Sequence, residues 1–228
     1  MKLYCHPAAT TCRPVLLLAA DEAIPLELEV VDLFAGENRS ERFLAVNPNG
    51  AVPVLEDGAF RLTECSAILK HLAERTGSAA YPAAPEARAR VNALMDWVNT
   101  GFVREFGYGL VYPQAMPEFY GWPDPAMQAA VLRRAEEGAR RFLAVLDGHW
   151  LAGEQGPYLG GAAPCLADHL GAAYATAGEL VDFDFAPWPR VVRWIEAMKA
   201  RPSWEPVNAA FRDWCEFTRA ARRERAAA

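Results

Sequence analysis

Between Lys2 and Gly77 the apolar pattern keeps changing period, and after that it no longer does. Lys2–Cys5 reads as a strand. Thr11–Ala20 reads as a helix, with Pro14 tolerated in its first turn. Leu26, Leu28 and Val30 alternate with Glu27 and Glu29, which predicts a half-buried strand. Ser40–Val46 is a short helix with Ser40 as its cap. Val52–Leu55 and Ala59–Leu62 are strands joined by a Glu56-Asp57-Gly58 turn. Thr63 caps a helix whose apolar positions include Ala67, Ile68 and Leu72, and Gly77 ends it. The order is βαβαββα. The stretch "SAAYPAAPEA" (Ser78–Ala87) has no apolar period and reads as a linker. Beyond it only helices are expected: Arg88 to about Leu110, Ala126–Leu146, Leu166–Ala177, Pro189–Ala200 and roughly Val207–Arg222, with "YPQAMPEFYGWPDP" (Tyr112–Pro125) as a loop. A chain of this pattern is confined to an α/β unit over 1–79, a linker over 80–87 and an all-helical unit over 88–228.

The totals exclude several function classes. The chain has 228 residues, enough for one large or two modest cores. It is 52% hydrophobic and 23% charged. No apolar run approaches the roughly 18 residues that span a bilayer, since the longest candidate is Pro14–Ala20. The net charge of −6 argues against a nucleic-acid partner, and the basic cluster Arg219–Arg225 reads as a solvated helix end. Five cysteines at irregular spacing, without a CxxC, argue against a disulfide framework or a zinc site. His6, His71, His149 and His169 form no ligand pattern, so no metal is expected. The start "MKLYCHP" enters a strand-like segment directly, which predicts no signal peptide. These features together predict a cytoplasmic protein with no membrane contact.

The stretch "VNPNGAVPVLEDG" (Val46–Gly58) places Pro53 inside an apolar run, where it lacks the N–H that a strand needs. Pro53 is either an ordinary edge proline or a cis proline. A cis bond would turn the backbone N–H and C=O of Val52 outward, where an extended peptide could pair with them. Next, "LTECSAIL" (Leu62–Leu69) opens a helix whose free N–H groups suit an anion. Glu64 there either holds an amine or complements the helix dipole.

The βαβαββα order, "NPNGAVPVL", "LTECSAIL", the proline–alanine linker and the helical remainder resemble the cytosolic glutathione S-transferase family, in its bacterial, theta-like branch, over essentially the whole chain. The resemblance implies a thioredoxin-like N-terminal domain and an all-helical domain with an electrophile cleft. It implies a cis Pro53 that presents Val52 to the cysteinyl part of glutathione. Glu64 matches the glutamate that binds the γ-glutamyl end; Cys65 stands where serine is usual and keeps only its backbone N–H as a strong donor. Ser66 could compensate with some rotation. Asn38 and Arg39 fall where theta-like members hold the glycine carboxylate, with Asn49 on a neighbouring loop. Arg39 also reads as a solvated charge. In "PCLAD" (Pro164–Asp168), Asp168 matches a residue used for folding, while Cys165 replaces a hydroxyl cap. The implied activity is detoxifying conjugation of a small electrophile, with glutathione as co-substrate, in a homodimer. An apolar excess on the helix after the linker points to the same assembly. A glutathione-dependent disulfide reductase or peroxidase, or a non-catalytic glutathione-binding regulator, stands as the alternative.

The loop "CHPAATTCRPV" (Cys5–Val15) is where the family places its catalytic group. A free thiol has a pKa near 8.5, and lowering it by two units takes about 2.7 kcal/mol. Hydrogen bonds and a helix N-terminus can supply that. The pair Cys12-Arg13 resembles a "CR" in theta- and delta-like members, and counting back puts Ala9 at their serine. Alanine cannot donate. Thr10 is the first candidate. Thr11 is a second, better suited to cap the helix. Cys12 could form a mixed disulfide, although it falls in the first helical turn. Backbone N–H groups alone, and Tyr4 of the first strand, are the other options. Arg13 reads as a structural helper. The electrophile would meet Phe102, Phe106, Tyr108 and Tyr112 in "NTGFVREFGYGLVYPQ" (Asn99–Gln114), unless these form interdomain core.

Overall fold

The computed structural model describes residues 1–120, 124–153 and 155–227. The first part is a four-stranded sheet with helices. Its strands are β1 (Lys2–Cys5), β2 (Glu27–Val30), β3 (Val54–Asp57) and β4 (Phe60–Thr63). They lie in the order β2-β1-β3-β4. β1 runs parallel to β2 and antiparallel to β3, with Leu3 paired to Leu28 on one side and Leu55 on the other. Helices α1 (Arg13–Asp21), α2 (Glu41–Leu44) and α3 (Cys65–Thr76) connect or follow the strands. Ser40 caps α2, its hydroxyl accepting from the Phe43 amide. Ile68, Leu69 and Leu72 recur on one face of α3 and are fully buried, and Gly77 closes the helix in the left-handed conformation.

Three local readings are corrected. β2 is the outer strand of the sheet, so Leu28 and Val30 remain 47% and 54% exposed rather than half-buried. β3 begins at Val54 and continues through Asp57, leaving Gly58-Ala59 as a two-residue turn before Phe60. Pro53 therefore precedes the ladder and removes no bond from it. The Val52–Pro53 peptide is cis. Thr63 ends β4 instead of capping α3; the cap position belongs to Glu64, whose side chain makes no capping bond.

The remainder of the described chain is helical. α4 (Pro85–Trp97) passes without a break into a wider π-helical stretch, Val98–Val111, and then into α5 (Tyr112–Ala115). The expected loop from Tyr112 thus begins as helix; its residues 121–123 lie outside the described residues. α6 (Pro125–Val145) is capped by Asp124, α8 (Pro189–Lys199) packs on the central α7 (Leu166–Ala175), and α9 (Trp204–Ala227) packs on α1 and on the turn that follows α7. Every residue of α7 is buried. Its small side chains let neighbours approach closely: a Cβ on Gly171 would lie 3.1 Å from Trp194. Val91, Leu94 and Met95 of α4 are buried within the chain, and α4 packs on α7.

Asp168 organises this centre. Its carboxylate accepts from the amides of Leu159 (2.7 Å), Gly160 (3.1 Å) and Cys165 (2.8 Å) and from the Trp194 indole (2.8 Å). The bond from the Cys165 amide to Asp168 is the half of a capping box that does not depend on the cap side chain, so it is kept with cysteine at that position.

Polar clamps at both ends of α1 join the first part to the second. Arg13 of α1 is discussed with the site. Asp21, at the other end of α1, accepts from Arg201 (3.0 Å) and meets His169 of α7 at 2.9 Å. Burial alone would raise the Asp21 carboxyl, but hydrogen bonds led by that of His169 and including that of Arg201 outweigh it and hold the pKa at about 2. A carboxyl depressed in the folded state stabilises the fold above its unfolded pKa of about 3.9 and loses that stabilisation as pH falls towards about 2. Replacing Asp21 with Asn should therefore lower stability at neutral pH and flatten the fall between about pH 4 and 2. Urea unfolding across that range measures both.

Candidate active site

The first loop runs from β1 to α1 over 6–12 and is held by its own backbone. Ala9 donates to the His6 carbonyl, and the amides of Cys12 and Arg13 both donate to the Ala9 carbonyl. The amides of Thr10 and Thr11 have no acceptor among the described residues. Two unpaired N–H groups beside the start of α1 make a small donor cluster suited to an anion.

The two threonines are used differently. Thr11 does not cap α1; its hydroxyl donates to the Val52 carbonyl at 2.8 Å, 41 residues away. Thr10 is buried, and its oxygen accepts from the Tyr112 hydroxyl at 2.7 Å. The hydroxyl hydrogen of Thr10 has no acceptor among the described residues. Cys12 occupies the cap position of α1 and is fully buried, and burial drives its thiol pKa far above the ordinary range. A buried neutral thiol is neither a nucleophile nor accessible to one, which corrects the expectation that Cys12 could form a mixed disulfide. Tyr4 packs edge-on against Phe43 and does not line the cleft described below.

Arg13 is 0% exposed and lies between the two parts of the chain. It donates to Asn208 Oδ1 (2.5 Å), to the Ala173 carbonyl (3.0 Å) and to Thr176 Oγ1 (2.8 Å). Its guanidinium lies 3.7 Å from the centre of the Phe211 ring. Burial lowers its pKa to about 10, so it stays charged at neutral pH.

Facing the first loop are the β3 approach and the start of α3. Val52 is buried; among the described residues its amide has no acceptor and its carbonyl takes only the Thr11 hydroxyl. Glu64 is exposed, its side chain makes no hydrogen bond or ion pair among the described residues, and it sits at φ 69°, a left-handed value that is uncommon outside glycine. The first bond of α3 joins the Ile68 amide to the Glu64 carbonyl, so the Cys65, Ser66 and Ala67 amides have no acceptor among the described residues. Cys65 is buried and burial pushes its thiol well up, leaving the amide as its useful donor. The Ser66 hydroxyl accepts from Asn99 and is anchored to the helical part.

Asn38, Arg39 and Asn49 come together around Gly50. Asn38 donates to the Gly50 carbonyl (2.7 Å), and Arg39 reaches the Asn49 carbonyl at 3.5 Å. Buried Asn47 supports the loop by donating to the Ala51 carbonyl (2.7 Å) and accepting from the Asn49 amide (3.1 Å).

The cleft over the first loop has a volume of about 480 Å³. Thr10 and Thr11 line it with Tyr108, Tyr112, Phe34 and Trp214. Phe102 and Phe106 do not. They are buried and stack on each other with ring centres 5.1 Å apart, which corrects their expected place beside the electrophile. At helical spacing their rings turn inward, whereas Tyr108 and Tyr112 point to the cleft and meet edge-on at 5.4 Å. Phe34 and Trp214 were missed. Phe34 follows β2 in a short loop, and Trp214 comes from α9, so no local pattern joins them; they meet edge-on at 5.8 Å. His6 continues this wall, 5.1 Å from Phe34, and burial lowers its pKa against the raising effect of Asp32. A larger hollow of about 820 Å³ lies beside the linker, lined mainly by alanine, glycine and proline.

Residues 1–74 match the model of the glutathione S-transferase N-terminal domain. Glutathione S-transferase theta-1 of Bos taurus is 35% identical over 171 residues, spanning 74% of this chain and 69% of that protein. The chain belongs to the glutathione S-transferase family. Human theta-1 is 38% identical over 135 residues, 58% of this chain and 56% of the relative. Among solved structures, human glutathione transferase theta-2 in complex with glutathione and an unknown ligand superposes with a TM-score of 0.84 at 27% identity, covering 96% of this chain and 90% of that one. A delta-class glutathione transferase of Nilaparvata lugens gives a TM-score of 0.77 at 28% identity, covering 95% and 99%. The fold of this transferase is accordingly the thioredoxin-like domain and helical partner that the sequence resemblance implied. No helix of the described residues is long and apolar enough to cross a membrane.

Gly50 is where the site tolerates least change. It sits at φ 61°, and an added Cβ would lie 2.9 Å from the Asn38 carbonyl oxygen. Gly50→Ala should cost at least about 1 kcal/mol, because both the left-handed backbone and the close approach oppose a side chain. Chemical denaturation of the variant against the parent tests it.

Proposed function

We propose that this glutathione transferase seats glutathione along the first loop, the Val52 backbone and the start of α3. Its thiol would then ionise against Thr10. The observation that carries this reading is the difference between the two threonines. Thr11 has spent its hydroxyl hydrogen on Val52, whereas Thr10 keeps its own and faces the cleft. The Val52 amide would pair with the cysteinyl carbonyl. The γ-glutamyl carboxylate would meet the Cys65 and Ser66 amides, and its ammonium would meet Glu64. Arg39 would take the glycine carboxylate, with Asn38 and Asn49 shaping the loop. The thiolate then attacks an apolar electrophile held between the tyrosines and the Phe34–Trp214 wall, and the displaced group leaves with the electron pair of the broken bond. The free amides of Thr10 and Thr11 would add to thiolate stabilisation.

Burial of Cys12 speaks against a disulfide-reductase mechanism that forms a mixed disulfide with the chain. Detoxification of small electrophiles in the cytoplasm fits this reading. A homodimer is proposed on family likeness alone, because the apolar face of α4 is occupied by the chain's own α7. Sedimentation should show twice the chain mass at micromolar concentration, and a monomer there would remove this assignment.

A hydrogen bond to a charged group contributes about 1.5–3 kcal/mol, so Thr10→Ala should raise the pKa of bound glutathione by roughly one to two units. Turnover of an aryl halide at neutral pH should fall with the thiolate fraction, while the dissociation constant changes little. Thiolate absorbance against pH provides the reading. An unchanged pKa in Thr10→Ala, with a shift in Thr11→Ala, would assign the activating role to the other threonine.

A further inference from the structure

We infer that Tyr112 polarises the Thr10 hydroxyl and so acts, through Thr10, as a positioning residue for the glutathione thiolate. The inference rests on the reading of Thr10 given above. Tyr112 opens α5 and lies 102 residues from Thr10, yet its hydroxyl donates to Thr10 Oγ1 at 2.7 Å. That bond fixes the rotor. With its oxygen accepting from Tyr112, the Thr10 hydroxyl has one hydrogen left without an acceptor among the described residues, and Thr10 lines the cleft. A hydroxyl that accepts a hydrogen bond becomes a better donor, so a Tyr–Thr–sulfur chain stabilises the anion more than an isolated threonine. The thiol proton leaves to water; neither hydroxyl ionises.

The surroundings keep Tyr112 protonated. Burial, the largest influence, raises its pKa to about 12. The titratable groups around it are Tyr108 and Tyr120 from nearby in the chain, Arg13 of α1 and Tyr174 of α7, with His6 across the cleft. Arg13 is the one fixed positive charge among them, and it is held by its own three hydrogen bonds, so it remains in place when the tyrosine hydroxyl is removed. The tyrosine thus supplies a neutral donor over the working pH range. The tyrosine hydroxyl is satisfied by Thr10 and by no other partner among the described residues.

The test is a cycle of variants read by the pKa of bound glutathione. Tyr112→Phe keeps the ring and removes only the donor. It should raise that pKa by about half a unit, as expected for losing the cooperative part of a charged hydrogen bond, and cut the thiolate fraction at neutral pH about threefold. The glutathione dissociation constant and the melting temperature serve as controls for folding and seating. In the Thr10→Ala background, Tyr112→Phe should leave the pKa where Thr10→Ala put it. An equal shift in both backgrounds would overturn the relay and make Tyr112 an independent influence. No shift from Tyr112→Phe while Thr10→Ala shifts the pKa would overturn the relay and leave the role of Thr10 intact. No shift from Thr10→Ala would overturn both readings.

Discussion

The geometry of the site depends on one buried cation. Arg13 begins α1 immediately after the threonine loop, and it reaches across to α7, to the turn that follows it and to α9. A guanidinium without water is costly unless its donors are met and its charge is compensated. Here two side-chain oxygens, a backbone carbonyl and the face of Phe211 share that task. Arginine suits it because its planar fork sends donors in several fixed directions at once. The consequence is that the start of α1 cannot shift relative to the helical part, and Thr10 and Thr11 are held where they meet Tyr112 and Val52.

The second element of the design is the division of labour between adjacent hydroxyls. Activating a thiol by two pKa units takes about 2.7 kcal/mol, which one charged hydrogen bond can nearly supply. Only one hydroxyl is needed, and two compete for the role in the sequence. Thr11 instead ties the first loop to the Val52 backbone, so that these two segments are held together. On the proposed reading, Thr10 would offset the absence of serine at Ala9. At the start of α3 the proposed reading relies on backbone amides, which remain whether cysteine or serine stands at 65.

The alternating pattern of the first 77 residues determined the strand and helix order by itself, because apolar periodicity and turn residues act locally. β1 was legible to the residue, and Gly77, Ser40 and Asp168 had the roles their chemistry predicted. The place of Pro53 ahead of the ladder, and the exposure of Leu28 and Val30, depended on which strands pair, and pairing is a property of the assembled sheet. The same holds in the site. The sequence put threonines in the loop and aromatics at 102–112, but it could not say that Phe102 and Phe106 turn into the core while the tyrosines face the cleft. It could not join Tyr112 to Thr10, Thr11 to Val52 or Phe34 to Trp214, since residues far apart in the chain become neighbours only when helices pack. Local preferences fixed which elements exist, and long-range packing around Arg13 and α7 decided which side chains share the site.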